Sequence, residues 1–174
     1  MKVTVDEYIF DFPDAKELYK FDEKDKLSPY YHGADMLKSV DVMAEFAKFY
    51  LWIEIKNFTD EDIALMKMEG DQRKAGDEKH IKISLRNNLV HKYRDTFLYR
   101  YAEQKIDKPI CYVCLLNFDS ALRVFFRGEV AKLIPAGRPS RRWKREIING
   151  FFVVNEADWK RNSILSSLGT CVHV

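Results

Sequence analysis

A chain of 174 residues with 47% hydrophobic and 14% aromatic residues can bury a sizeable core, and its length predicts one domain over residues 1–174. Lys and Arg number 29 against 27 Asp and Glu, a net charge of +2, which excludes a global basic field; any affinity for a polyanion must come from local patches. Three cysteines make no disulfide framework, no run reaches transmembrane length, and Met1-Lys2 leads into alternation rather than an apolar block. The expectation is a protein of a reducing compartment, the cytoplasm, without a leader or a membrane partner.

In chain order, residues 2–12 alternate apolar and polar and predict a first strand. Pro13 then opens a predicted helix from Asp14 to about Asp25, with Leu18 and Phe21 on one face and Glu17 along it. Residues 27–35 carry turn residues and predict a loop that holds His32 and Asp35, for which an incidental position is the default.

Residues 40–56 hold two apolar strand-like runs around a short polar turn, the pattern of a β-hairpin. If Ala47-Lys48 is a two-residue turn, Phe46 faces Phe49, and counting outward puts Asp41 opposite Glu54, with Lys56 on the same face. A four-residue loop keeps that register, whereas a three-residue loop sends Asp41 to the other side. Two opposed carboxylates resist ionising together, and a divalent cation between them removes the conflict. Oxygen-only ligation suits Mg²⁺ or Mn²⁺, and a lysine beside the ion can orient a water or neutralise charge on a phosphate. The plainer alternative is an edge hairpin with a solvated cross-strand salt bridge.

Thr59 reads as the N-cap of a short helix that carries Ile63, Leu65, Met66 and Met68, followed by a polar segment between Gly70 and Gly76. Residues 78–104 give the clearest helix, with Ile81, Leu85, Leu89, Tyr93, Phe97 and Tyr101 as its apolar stripe and Lys79, Lys82 and Arg86 as a basic ridge. Pro109 to Phe118 is nearly all apolar, as in strands buried on both faces. The long helix before it implies a crossover, so the sheet is mixed. Cys111 and Cys114 have CxxC spacing, but three residues along a strand point them to opposite faces. Asp119 and Ser120 cap a helix to about Ile134. The segment from Arg138 through Arg141, Arg142, Trp143, Lys144 and Arg145 has five basic residues, one indole and no acid; it suits phosphate contact and stacking, or a solvated loop. A strand at 151–154, a helix at 156–168 and a fraying end complete the expectation.

Asp41 and the Glu54-Ile55-Lys56 tripeptide, in the order helix, strand, Asp-bearing strand, Glu-x-Lys strand, resemble the PD-(D/E)xK nuclease superfamily over roughly residues 10–120. Val40 stands where that family has a proline. The resemblance implies an α/β fold, a mixed β-sheet flanked by helices on both faces around a restriction-endonuclease-like α-β-β-β-α-β core. It also implies that Asp41, Glu54 and the Ile55 backbone carbonyl hold Mg²⁺ or Mn²⁺, with Glu17 on the first helix as a further candidate. Lys56 would be the catalytic lysine, and Lys82 and Arg86 would face the scissile phosphate. The function so implied is metal-dependent hydrolysis of phosphodiester bonds, endo- or exonucleolytic, in nucleic acid, DNA before RNA. Its alternatives are an inactive nuclease-fold module that binds nucleic acid or protein, and a plain α/β domain with a chance motif.

Overall fold

The computed structural model describes residues 1–67, 77–137 and 139–174, with the backbone alone for residues 77–80. Strands β1 (Lys2–Val5), β2 (Tyr8–Asp11), β3 (Glu17–Lys20), β4 (Val42–Glu45) and β5 (Tyr50–Lys56) come first. Helices α1 (Asp60–Lys67) and α2 (Asp77–Ala102) lead to β6 (Ile110–Leu116), α3 (Ser120–Ala131) and β7 (Ile148–Val154). Two short helices, α4 (Glu156–Arg161) and α5 (Ser163–Leu168), precede β8 (Thr170–His173).

The architecture is mixed α/β. A five-stranded sheet runs β3-β4-β5-β6-β7, antiparallel from β3 to β5 and parallel from β5 to β7. All seven residues of β6 are buried, because both faces of its sheet are covered. One face carries Tyr50, Trp52, Tyr112 and Cys114 against Leu89 and Tyr93 of α2 and Phe126 of α3. The other carries Leu51, Ile53, Cys111 and Val113 against Trp159 of α4, Leu165 of α5 and the aromatic residues of a small sheet, β1-β2-β8. The expectation of helices on both faces therefore needs an addition: three antiparallel strands share the second face.

Residues 14–25 are not a helix. Tyr19 and Phe21 point into the α2 face while Leu18 turns to the opposite cluster, and β3 pairs antiparallel with β4. The spacing of Leu18 and Phe21 fits a helix, but Tyr19 breaks that pattern and fits the pleat, and pairing with β4 decides between them. Among the described residues no helix precedes Asp60. The chain end also differs from expectation. Rather than fraying, β8 pairs with β2, entered through Gly169 at φ 144°, where a Cβ would lie 2.0 Å from the Asp11 carbonyl oxygen.

The hairpin register follows the two-residue turn. The Phe46 N–H donates to the Phe49 carbonyl at 2.9 Å, and Val42 lies opposite Ile53. Neither Ala47 nor Lys48 takes a positive φ, so the turn is not of the primed type that hairpins favour. Side chains close it instead: the Phe46 and Phe49 rings stack at 4.7 Å, and Lys108 donates to the Phe46 carbonyl and pairs with Glu45.

Candidate active site

Asp41 stands immediately before β4. Its N–H donates to the Ile53 carbonyl on β5, while its own carbonyl accepts from the Phe21 N–H beyond β3. A regular strand residue sends both groups to one neighbour, so the chain bends here. The bend lets the side chain continue the ladder: Asp41 Oδ2 accepts from the Ile55 N–H at 2.6 Å. The Ile55 carbonyl leaves the strand on the same side as its N–H, toward Asp41. The segment entering β4 is held to α2, where Thr96 Oγ1 accepts from the Val40 N–H at 3.0 Å and Asp95 from the Lys38 N–H at 2.9 Å. Val40 thus supplies a donor that a proline would lack.

Glu54 follows Ile53, the partner of Val42, and lies beside Cys114 on β6; the Lys92 ammonium reaches both its carboxylate and that of Asp41. Glu54 is fully buried. Two ammonium groups compensate. Lys56 Nζ is 2.8 Å from Oε1, and Lys92 Nζ is 3.3 Å from Oε2. Burial, with the Asp41 charge adding to it, pushes the Glu54 pKa up from 4.5 to about 8 against the pull of the two lysines.

Lys92, on α2, is the residue that sequence reasoning missed. Its side chain is 10% exposed, and its ammonium also lies 3.4 Å from Asp41 Oδ1 and 3.7 Å from Asp22 Oδ2. Burial opposes the charge, but Glu54, Asp41 and Asp22 outweigh it, so the pKa of Lys92 stands above the ordinary lysine value. A signal did exist in the sequence. Asn88, Lys92, Thr96 and Arg100 recur every fourth residue, a polar row beside the apolar stripe, and the last three are buried. Asn88 shares a shallow, mostly apolar groove with Lys56, Phe58, Ile81, Ser84 and Leu85, and its Oδ1 is buried without a partner among the described residues.

The remaining candidates are dispersed. Glu17 is exposed on β3, opposite Glu45, and four residues of strand, about 13 Å, separate it from the level of Asp41. It does not reach Asp41 and Glu54 because the segment carrying it is a strand, and Asp22 is the acid that does approach. His32 Nδ1 accepts from the Ala34 N–H and Nε2 meets Ser39 Oγ, a loop-fastening arrangement, and Asp35 is exposed.

Lys82 lies over the Phe125 ring and Arg86 pairs with Glu129, both toward α3. Arg86 leaves the helix about 120° from Lys92, so the ridge does not line the acidic pair. Arg141, Arg142, Lys144 and Arg145 are exposed and Trp143 half-buried, at the opposite end of the sheet. Arg145 donates to the Ile106 and Asp107 carbonyls, before the start of β6, and that start is level with Tyr50. Arg138, the side chain of Lys79 and the polar segment 70–76 lie outside the described residues.

Cys111 and Cys114 are buried and free on opposite faces, and burial pushes both thiols up, Cys111 to about 12. Among the described residues no three His, Cys, Asp or Glu side chains already form a metal cage, and no helix is long and apolar enough to cross a membrane. No family model, curated protein or solved structure matches this chain.

Proposed function

We propose that the Asp41–Glu54–Lys56 face is the active site of a metal-dependent nuclease. The observation that carries this reading is Glu54: a fully buried carboxylate on a central strand that shares the Lys92 ammonium with Asp41. Two carboxylates in a poorly solvated place need positive charge beside them; the lysines supply it in the metal-free protein, and a divalent cation can supply it in their stead. The donor set of Asp41, Glu54 and the Ile55 carbonyl is all oxygen, which fits Mg²⁺ or Mn²⁺. When bound there, such an ion activates water near neutral pH and stabilises charge on a phosphoryl oxygen.

The chain's own groups supply the rest. Lys56, one-third exposed, can hold a water or a phosphate oxygen at the mouth of the site while it pairs with Glu54. Asn88, across the groove, can donate its amide to the substrate. The strand order supports the family likeness in part: β3, β4 and β5, a crossover through α2, then parallel β6 reproduce a β-β-β-α-β succession, without the leading helix.

Nucleic acid, DNA before RNA, is the proposed substrate. A second reading, a non-catalytic binding module, draws on the separation between the basic segment at one end of the sheet and the acidic pair at the other. Cleavage of single- and double-stranded DNA and RNA oligonucleotides with Mg²⁺ or Mn²⁺, by wild type and Glu54→Ala, separates the two. The nuclease reading expects metal-dependent cleavage that falls at least ~100-fold in the variant, the scale of losing one electrostatic catalytic group. Equal cleavage by the variant would remove the assignment to this site.

A further inference from the structure

The place between Asp41 and Glu54 already holds a positive charge. Lys92 Nζ lies 3.3 Å from Glu54 Oε2 and 3.4 Å from Asp41 Oδ1. Lys56 pairs with the other oxygen of Glu54, and among the described residues no ion pair links it to Asp41. A divalent ion in this place would need the same two inward oxygens at about 2.0–2.1 Å for Mg²⁺. An ammonium in hydrogen-bonding range of both oxygens occupies the approach to them.

We propose that Lys92 is a built-in counter-cation, which holds Asp41 and Glu54 together in the metal-free protein and swings out of the site when Mg²⁺ or Mn²⁺ binds. The inference rests on the metal-dependent reading above. Three features make the exchange physically reasonable. The lysine stem is long and flexible, so the ammonium can move while α2, packed through Leu89 and Tyr93, stays in place. Asp22, at 24% side-chain exposure and 3.7 Å from the ammonium, offers a partner on the solvent side. Retaining Lys92 beside a divalent ion would set like charges against each other in a poorly solvated site.

The exchange makes metal binding weaker than the acids alone would give, and it frees a cation next to the bound metal. A polyanionic substrate that pairs with that freed ammonium would therefore tighten metal binding, and metal would tighten substrate binding by the same factor.

The test is Mn²⁺ calorimetry at one pH on wild type, Lys92→Met and Asp41→Ala, each checked for folding by its melt. The expected result is at least tenfold tighter Mn²⁺ binding by Lys92→Met than by wild type, and loss of binding in Asp41→Ala. Equal or weaker binding by folded Lys92→Met, with loss in Asp41→Ala, overturns this inference and leaves the metal site standing. No binding by any of the three overturns this inference, and no binding by wild type with a non-cleavable oligonucleotide present overturns the metal site as well.

A second measurement needs no variant to fold. Amine acylation of wild type, read by mass spectrometry, should modify Lys92 several-fold more at saturating Mn²⁺, with the exposed Lys160 as the unchanged reference. Unchanged or reduced modification of Lys92 under those conditions overturns the proposal.

Discussion

At the scale of single residues the chain's least comfortable group is Glu54. Its pKa is raised from 4.5 in the unfolded chain to about 8 in the folded one, so between those values the unfolded state binds fewer protons than the native state. The stability this group contributes is complete below about pH 4.5 and is lost as pH rises to about 8. Metal-free wild type should lose melting temperature over that window relative to Glu54→Gln, which cannot titrate. Parallel pH profiles for the two proteins would contradict this assignment of charge. Asp22 and Glu17 make a matched pair of controls. Asp22 approaches the Lys92 ammonium and Glu17 does not, so Asp22→Asn should change the Mn²⁺ affinity while Glu17→Gln leaves it within a factor of about two.

At the scale of elements, the hairpin and α2 together aim the acids. The register as far as Val42–Ile53 was legible because a two-residue turn and a pleat of period two allow counting from Phe46 and Phe49 outward, and it brings Asp41 near Glu54, where both reach the Lys92 ammonium. Lys92 was not legible by the same means. The polar row Asn88, Lys92, Thr96 and Arg100 marks a second face of α2, but that this face is buried depends on β3, on the segment before Asp41 and on β5 meeting it. The strand at 17–20 was hidden for a related reason. Leu18 and Phe21 satisfy a helical spacing, and only the β4 partner reveals the pleat. The C-terminal strand depends on β2, more than 150 residues earlier, and no local pattern announces such a pairing.

Thr96 is where this element-level account can be tested. Thr96→Val keeps the shape but removes the acceptor of the buried Val40 N–H. It should cost about 1–3 kcal/mol by urea denaturation, the price of an unsatisfied buried donor. It should also weaken Mn²⁺ binding, because Asp41 follows directly in the chain. A loss of stability with unchanged metal affinity would show that the anchor serves the fold alone.

At the scale of the whole molecule, the basic segment and the acidic pair are separated along the sheet. Residues Ile110 and Ile148 are level with Tyr50, and Glu54 stands four residues, about 13 Å, further along. A short oligonucleotide engaged at Asp41 and Glu54 need not touch Arg141, Arg142 or Lys144, whereas a longer one can. Replacing these three residues by Ala should lower affinity for a long substrate and flatten its salt dependence. The single-turnover rate on a short substrate should stay the same. A fall in that rate would mean that the segment takes part at the acidic site after all. The mixed sheet itself was readable from the run of apolar residues in β6 and the long helix before it. The small sheet that shares the second face was not, because its strands are four residues each and lie at opposite ends of the sequence.

The central claim is that the hairpin face bearing Asp41 and Glu54 holds a divalent cation for phosphodiester hydrolysis. Mn²⁺ calorimetry on wild type and Asp41→Ala, run with and without a non-cleavable oligonucleotide, tests it most directly. One site in wild type, tightened by the oligonucleotide and lost in the variant, is the predicted result. Binding that survives in Asp41→Ala, or no binding by wild type even with the oligonucleotide, would contradict it.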